Sequence, residues 1–156
     1  MNDITLYEKI PELEKSFPLK IAKYHSDTIS AHWHEHIEML YIISGSGDFF
    51  CNSKNFRASA GETVIFNGNV LHSMKSEKEL EYICIIINPI FFKNVNFENI
   101  ILNSKIPAES VIKECFFNIF SEWENREAYF DMRIMGHAYT LAAHLAKNYT
   151  NAHLSP

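Results

Sequence analysis

The sequence contains few cysteines, and their spacing matches no zinc-binding or disulfide framework. Its 156 residues include three cysteines, Cys51, Cys84 and Cys115, and no CxxC pair. An odd number of widely separated thiols argues against a disulfide-stapled scaffold and against a zinc ribbon. We therefore expect three buried thiols that act as small apolar residues in a reducing compartment.

Clusters of basic residues and long apolar segments are also missing. The 14 Lys and Arg residues are scattered among 19 Asp and Glu residues, which gives a net charge of −5. Because phosphate binding requires clustered cations, we expect no nucleic-acid binding by this segment. The longest apolar run, Tyr82–Ile87, is too short to span a bilayer, and the N-terminus lacks the apolar core of a signal peptide. These absences predict a cytoplasmic protein with no membrane partner.

The first half of the chain has the pattern of a β-protein. Apolar residues make up 47% of the sequence and aromatic residues 13%, enough for one domain with its own core. Short alternating stretches separated by turn residues predict an antiparallel sandwich or barrel. The predicted strands are Leu19–Tyr24, Ile37–Ser44, Asp48–Cys51, Asn55–Ala58, Thr63–Phe66, His72–Lys75 and Glu81–Ile87. A charged, solvated loop, 77–81, is predicted before the last of them.

After about residue 107 the apolar pattern becomes helical and predicts two helices, at about 108–124 and 126–147. Pro107 and Glu109 are typical of a helix start, and Asn125 could cap the second helix. The second helix is apolar on two sides, one with Phe130, Ile134, Ala138, Leu141 and Leu145 and the other with Met132, Met135, Tyr139, Ala142 and Ala146. Both sides could be buried within one chain, but we favour a homodimer formed through these helices.

A dense histidine cluster precedes the strongest predicted strand, in the segment His-Trp-His-Glu-His-Ile-Glu. Alternate side chains of an extended chain share a face, so His32, His34, His36 and Glu38 are expected on one side. Three imidazoles and a carboxylate suit a divalent transition metal such as Zn, Ni, Mn or Fe. His72, on a later strand, is the obvious candidate for a fourth ligand.

These residues resemble the two motifs of the cupin superfamily. His32, His34, Glu38 and Gly45 match the first motif at every spacing, and Gly61 and His72 match the second. The proline and glycine of the second motif are replaced by Asn67 and Asn69. The resemblance implies a mainly β, cupin-type double-stranded β-helix, or jelly-roll barrel, followed here by the two helices. It also implies that His32, His34, Glu38 and His72 are the metal positions.

The segment from His32 to Gly47 and the segment from Ala60 to His72 also resemble the sensor domain of AraC-family transcription regulators. The resemblance covers about residues 15–150. It implies three parts, which are a barrel with an N-terminal extension at 1–106, a dimerisation appendage at 107–149 and the start of a linker at 150–156. The family's double helix-turn-helix DNA-binding domain is absent from this chain. A small effector, for which a sugar is one candidate, would bind inside the barrel. The ligand-binding residues so predicted are His32, His34, Glu38, Leu40, Ile42 and His72.

Several alternatives stay open from the sequence alone. The histidine cluster could hydrogen-bond internally or contact an organic effector without any metal, and His36 could replace His32 as a ligand. The complete ligand set also fits a free-standing metal-dependent cupin enzyme, an isomerase or dioxygenase. A carbohydrate-binding module without catalysis is a third reading. No nucleophile elbow, phosphate loop or paired catalytic carboxylates are found, so we expect a sensor and not an enzyme.

Overall fold

The computed structural model describes residues 6–97 and 99–150. The N-terminal extension before residue 6 and most of the expected linker, 151–156, lie outside the described residues, while Thr150 forms a bridge with Leu102. The strands are β1 (Leu19–His32), β2 (Ile37–Ser44), β3 (Ser46–Cys51), β4 (Lys54–Ser59), β5 (Thr63–Phe66), β6 (His72–Ile87) and β7 (Lys105–Ile106). The helices are α1 (Ser110–Asn125) and α2 (Phe130–Asn148), and 3₁₀ turns occupy Pro11–Glu14 and Pro89–Phe92.

The strands form one antiparallel sheet that curls into a nearly closed barrel, as the cupin resemblance predicted. The long strand β6 is central to this sheet. Its first half pairs with β3 and its second half with β2, and β1 pairs with both halves. The β1–β6 register is irregular between Ser26 and Thr28 and between Ile29 and His32. Bulges of this kind increase local twist and allow a sheet to curl.

Two hydrophobic cores lie on opposite faces of the sheet, because successive side chains of a strand point to opposite sides. Leu40 and Ile42 of β2 point into the barrel, where they pack with Phe49, Phe66 and other apolar side chains. Met39 and Tyr41 point outward and contribute to a helix-side core that α1 and α2 cover. Isoleucine and aromatic residues are frequent on both faces, as expected for strands buried on both sides.

Several expected element boundaries are wrong, since β1 continues beyond Tyr24 to His32 and α2 begins at Phe130 and not at about 126. The expected loop 77–81 is part of the continuous strand β6; Glu77, Lys78 and Glu79 are exposed as expected, but Leu80 is fully buried in the barrel core. Asn125 does not cap the second helix but is the last residue of α1. Pro107 does not start a helix, since it follows β7 and α1 begins at Ser110.

The two apolar sides of α2 are largely covered within the chain itself. Ile134, Ala138 and Leu141 are buried in the helix-side core. On the other side Ala142 is buried and the Tyr139 hydroxyl donates to the Phe91 carbonyl at 2.6 Å. Met132 remains 69% exposed. Intrachain packing thus explains most of the pattern that led us to expect a dimer, and dimerisation stays a prediction. Neither helix, in the part of the chain described, is long and apolar enough to cross a membrane.

Candidate metal and ligand centre

Four predicted residues meet at one end of the barrel. His32 ends β1, His34 lies in the connection that follows, Glu38 is near the start of β2, and His72 opens β6. His32 and His72 are direct partners in the β1–β6 register, which brings together residues far apart in sequence. One ligating atom from each of the four lies within 4.8 Å of the others. His34, Glu38 and His72 are buried, and His32 is partly exposed at the rim.

The three imidazoles are all held in the same way. Nδ1 of His32 bonds the Ser30 carbonyl at 2.7 Å, and Nδ1 of His72 bonds the Val70 carbonyl at 2.8 Å. Nδ1 of His34 bonds the His36 carbonyl at 3.1 Å. A carbonyl can only accept, so each Nδ1 carries the proton and each Nε2 is left as the ligating atom. This carbonyl-anchored tautomer is the arrangement that orients histidine ligands around metals.

Glu38 is the common partner of the buried imidazoles. Its Oε2 lies 3.0 Å from Nε2 of His34 and 3.3 Å from Nε2 of His72, and its Oε1 accepts from the Cys84 thiol at 3.6 Å. Burial alone would raise the pKa of Glu38, but the hydrogen bonds and charges of His34 and His72 outweigh it and lower the pKa to about 2. Burial beside this carboxylate raises the pKa of Cys84, so the thiol stays protonated and acts as a donor.

The proton count at Glu38 favours a bound cation. Nδ1 of His34 and of His72 already carries the ring proton. In a neutral ring, Nε2 would therefore direct a lone pair at the ionised Glu38 carboxylate, which is repulsive. The arrangement becomes attractive with a positive charge between these groups, either a proton shared with Nε2 or one metal ion. Two imidazolium rings in a buried pocket are costly to desolvate, whereas nitrogen and carboxylate ligands suit a divalent transition metal. The residues present therefore fit a metal.

Glu8 joins the rim of the cluster, although nothing in the sequence pattern pointed to it. Its carboxylate lies 3.2 Å from Nε2 of His32. The backbone around it is fixed by hydrogen bonds between Glu8 N and Trp33 O and between Trp33 N and Leu6 O, each 2.9 Å. Local sequence reasoning missed Glu8 because pairing of the N-terminal segment with Trp33 is not signalled by any spacing.

His36, considered as a substitute ligand, lies outside the group of four. Its ring is buried, its Nε2 is 3.6 Å from a Glu35 carboxylate oxygen, and its Nδ1 has no hydrogen-bond partner among the described residues. Burial lowers the pKa of His36, an effect that the neighbouring Glu35 partly opposes. The structure thus places His32, and not His36, with His34, Glu38 and His72.

Leu40 and Ile42, the two apolar residues predicted to contact a ligand, lie deeper in the barrel on the same face of β2 as Glu38. They are 1% and 0% exposed. Phe66 of β5, one of the aromatic residues that could line a pocket, stacks on the His72 ring with 4.1 Å between ring centres. Contact of these side chains with an effector remains a prediction.

Comparison with known proteins connects this chain to both sensors and enzymes. The family model described as AraC-like ligand binding domain matches residues 16–142. An L-ectoine synthase of Rhodococcus opacus (strain B4) is 26% identical over 84 residues, covering 49% of this chain and 64% of the synthase. The uncharacterized HTH-type transcriptional regulator YdeC of Bacillus subtilis (strain 168) is 33% identical over 66 residues, covering 40% of this chain and 22% of the regulator.

Among solved structures, an RmlC-like cupin from Shewanella frigidimarina NCIMB 400 has a TM-score of 0.44 and 18% identity, covering 46% of this chain and 67% of that chain. The matches to the two curated relatives span less than two thirds of either one's length, at 64% of the synthase and 22% of the regulator.

Proposed function

The chain belongs to the AraC-like ligand-binding domain family, and from that premise we propose that it is the effector-sensing module of an AraC-type bacterial transcription regulator. The observation that carries the proposal is the extent of the family match. Residues 16–142 include all seven strands, α1 and most of α2, so the match covers the helices as well as the barrel. A minimal cupin enzyme has no need for the helix pair.

The ligand centre of this sensor is formed by His32, His34, Glu38 and His72, with Leu40 and Ile42 beneath it. Three neutral imidazoles and one carboxylate around a divalent ion leave a net positive charge. Bound there, a metal such as Zn, Ni, Mn or Fe would supply a Lewis-acidic position for an oxygen donor. That chemistry favours an effector with hydroxyl or carboxylate oxygens, and a sugar fits the description.

Metal analysis of protein purified without a histidine tag tests the centre. We expect about one divalent ion per chain, removable by a chelator and regained on dialysis. His72→Gln should weaken metal affinity by more than about 100-fold, because loss of a ligand exceeds the effect of losing an outer partner. His25→Gln is the matched control, since that side chain is 58% exposed on β1. Failure of the metal-free protein to regain an ion would contradict the metal centre but not the sensor role.

A metal-dependent cupin enzyme of the isomerase or dioxygenase type is the second candidate. The complete ligand set and the match to the L-ectoine synthase favour it. Reading the native coding sequence past Pro156 separates the two proposals. Continuation into two helix-turn-helix patterns supports the sensor, whereas a stop codon there makes a screen of the metal-loaded chain for turnover the next experiment.

We also propose that the sensor forms a homodimer through its helices. Tyr129 and Met132, at the start of α2, are 74% and 69% exposed, which is unusual for large apolar side chains. Burying a methionine contributes about 1.5–3 kcal/mol, so Met132→Glu should weaken association by at least about tenfold. Light scattering across a concentration series measures this, with Lys54→Glu, in the hairpin between β3 and β4, as the control. A wild-type monomer at the highest concentration would refute the dimer.

A further inference from the structure

A cleft lies outside the barrel, where the helices meet the segments that flank the sheet. Its volume is about 700 Å³, within the range of small-molecule sites. Its walls come from residues just before β1, residues just after β6, the end of α1 and the first part of α2. The cleft is separate from the metal centre, because none of the four candidate ligands lines it.

Aromatic rings form much of the lining. Phe17 stacks on Trp123 with 5.8 Å between ring centres, and Phe91 stacks on Tyr139 with 4.2 Å. The Tyr139 hydroxyl donates to the Phe91 carbonyl at 2.6 Å, so its polar atom already has a partner. The lining is therefore mainly apolar ring surface held by internal packing, which suits a flat apolar group.

Arg126 is held at the rim of this cleft in one orientation. Its Cζ lies 4.1 Å from the centre of the Trp123 ring, and its Nε donates to the Trp123 carbonyl at 3.1 Å. Its backbone has φ of 48°, a left-handed conformation usually taken by glycine at the end of a helix. The two terminal amino groups of Arg126 have no hydrogen-bond partner among the described residues. A guanidinium fork presented in this way is suited to binding a carboxylate through two hydrogen bonds.

Lys93 supplies a second cation to the same cleft. Neither Lys93 nor Arg126 forms an ion pair with any carboxylate in the described ranges. Asp131 also lines the cleft, and its Oδ1 accepts from the Met132 amide at 2.9 Å. Two cations against one carboxylate leave the lining with an excess of positive charge. The charge and the rings together indicate an anionic group joined to a flat apolar body.

We propose that this cleft binds a small aromatic carboxylic acid, with the carboxylate on Arg126 and Lys93 and the ring against the aromatic lining. The proposal goes beyond the sensor function and does not rest on it, since the cleft and the metal centre share no residue. Both helices and the segments beside β1 and β6 line the cleft. A bound ligand would therefore contact the helices and the barrel together and stabilise their packing.

Titration of 2-naphthoate into the 156-residue chain, followed by ¹H–¹⁵N NMR, tests the proposal. We expect the Trp123 indole and the Arg126 amide to shift, and the neutral analogue 2-naphthamide to bind at least about tenfold more weakly. Arg126→Gln and Lys93→Gln should each weaken naphthoate binding by about tenfold. Lys78→Gln, at an exposed position on β6, is the matched control and should leave binding unchanged.

Three results would overturn the proposal: no shifts at about 5 mM naphthoate, equal binding of acid and amide, or shifts confined to barrel residues such as Leu40 and Ile42. Should Arg126→Gln not fold, Lys93→Gln carries the test, because that side chain is exposed. Chelating any metal should leave naphthoate binding intact, so loss of the metal centre and loss of this site are distinguishable outcomes.

Discussion

At Gly68, in the loop between β5 and β6, a side chain does not fit. A Cβ there would collide with the Glu35 carbonyl in the loop that carries His34. On either side of Gly68, Asn67 and Asn69 stand where the cupin motif has proline and glycine. Asn69 adopts a left-handed φ of 63°, which asparagine tolerates better than most residues, and its amide donates to the His34 carbonyl at 2.7 Å. Asn69 therefore takes the left-handed turn without a glycine and ties this loop to the segment that carries His34.

Gly68→Ala should therefore damage the ligand centre without touching a ligand. Separating the two loops displaces the backbone that positions His34 and His72, and we expect metal affinity to fall by about 10–100-fold. Gly136→Ala is the control, because nothing lies within 4 Å of an added Cβ in α2 and alanine favours a helix by about 1 kcal/mol. Metal titration and thermal unfolding of both variants check this. Unchanged affinity in Gly68→Ala would show that the close approach has no role in the centre.

The clustering of three of the four candidate ligands could be predicted because the information for it is local. His32, His34 and Glu38 follow a fixed spacing, and alternation along β2 also placed Leu40 and Ile42 in the barrel. Cys84 was read only as a buried thiol, and its contact with Glu38 was missed, because the pairing of β2 with β6 determines it. Pairing between strands far apart in sequence cannot be predicted from the periodicity of the residues around Cys84.

At the scale of elements, the connection between α1 and α2 shows why boundary signals failed. The sequence offers Asn125 as a cap and no glycine nearby, but the chain turns through left-handed Arg126 and Tyr129 instead. Arg133 supports this turn from α2, donating to the Ala128 carbonyl at 2.8 Å and to the Glu122 carboxylate at 2.7 Å. The end of α1 lies within one residue of its expected position, whereas α2 begins at Phe130 and not at about 126, after a turn that Arg133 supports through contacts no local propensity signals.

Arg133→Gln tests this role of the arginine. The hydrogen bond from Arg133, assisted by its charge, lowers the pKa of Glu122 below its usual 4.5. A lowered pKa means that the interaction stabilises the fold above the ordinary carboxyl pKa and is lost as the pH falls through the folded-state value. In Arg133→Gln the Glu122 pKa should return toward 4.5. Carboxyl-carbon NMR titration measures it, with Arg57→Gln on β4 as the control; an unchanged Glu122 pKa would contradict the contact.

At the scale of the whole molecule, the outer face of the barrel and the two helices share the helix-side core. Met39 and Ile85 of the sheet belong to the same buried cluster as Ile119 and Leu141 of the helices. The proposed division at residue 107 therefore separates two sequence patterns whose side chains are packed together. Small domains with a continuous core usually unfold in one cooperative transition, and we expect that behaviour here.

Metal binding should move that single transition as a whole. The candidate ligands come from β1, β2, β6 and the loop after β1, so they are held together only in the folded chain. A ligand present at 100 times its dissociation constant stabilises the folded state by about 2.7 kcal/mol, or about 5–10 °C for a domain of this size. Chelation should therefore lower the melting temperature of the wild type by that amount, by circular dichroism of strands and helices alike. His72→Gln should melt at the same temperature with and without chelator, whereas His25→Gln should behave like the wild type. A chelator effect on the strands alone would mean that the two parts unfold separately and that the shared core does not couple them.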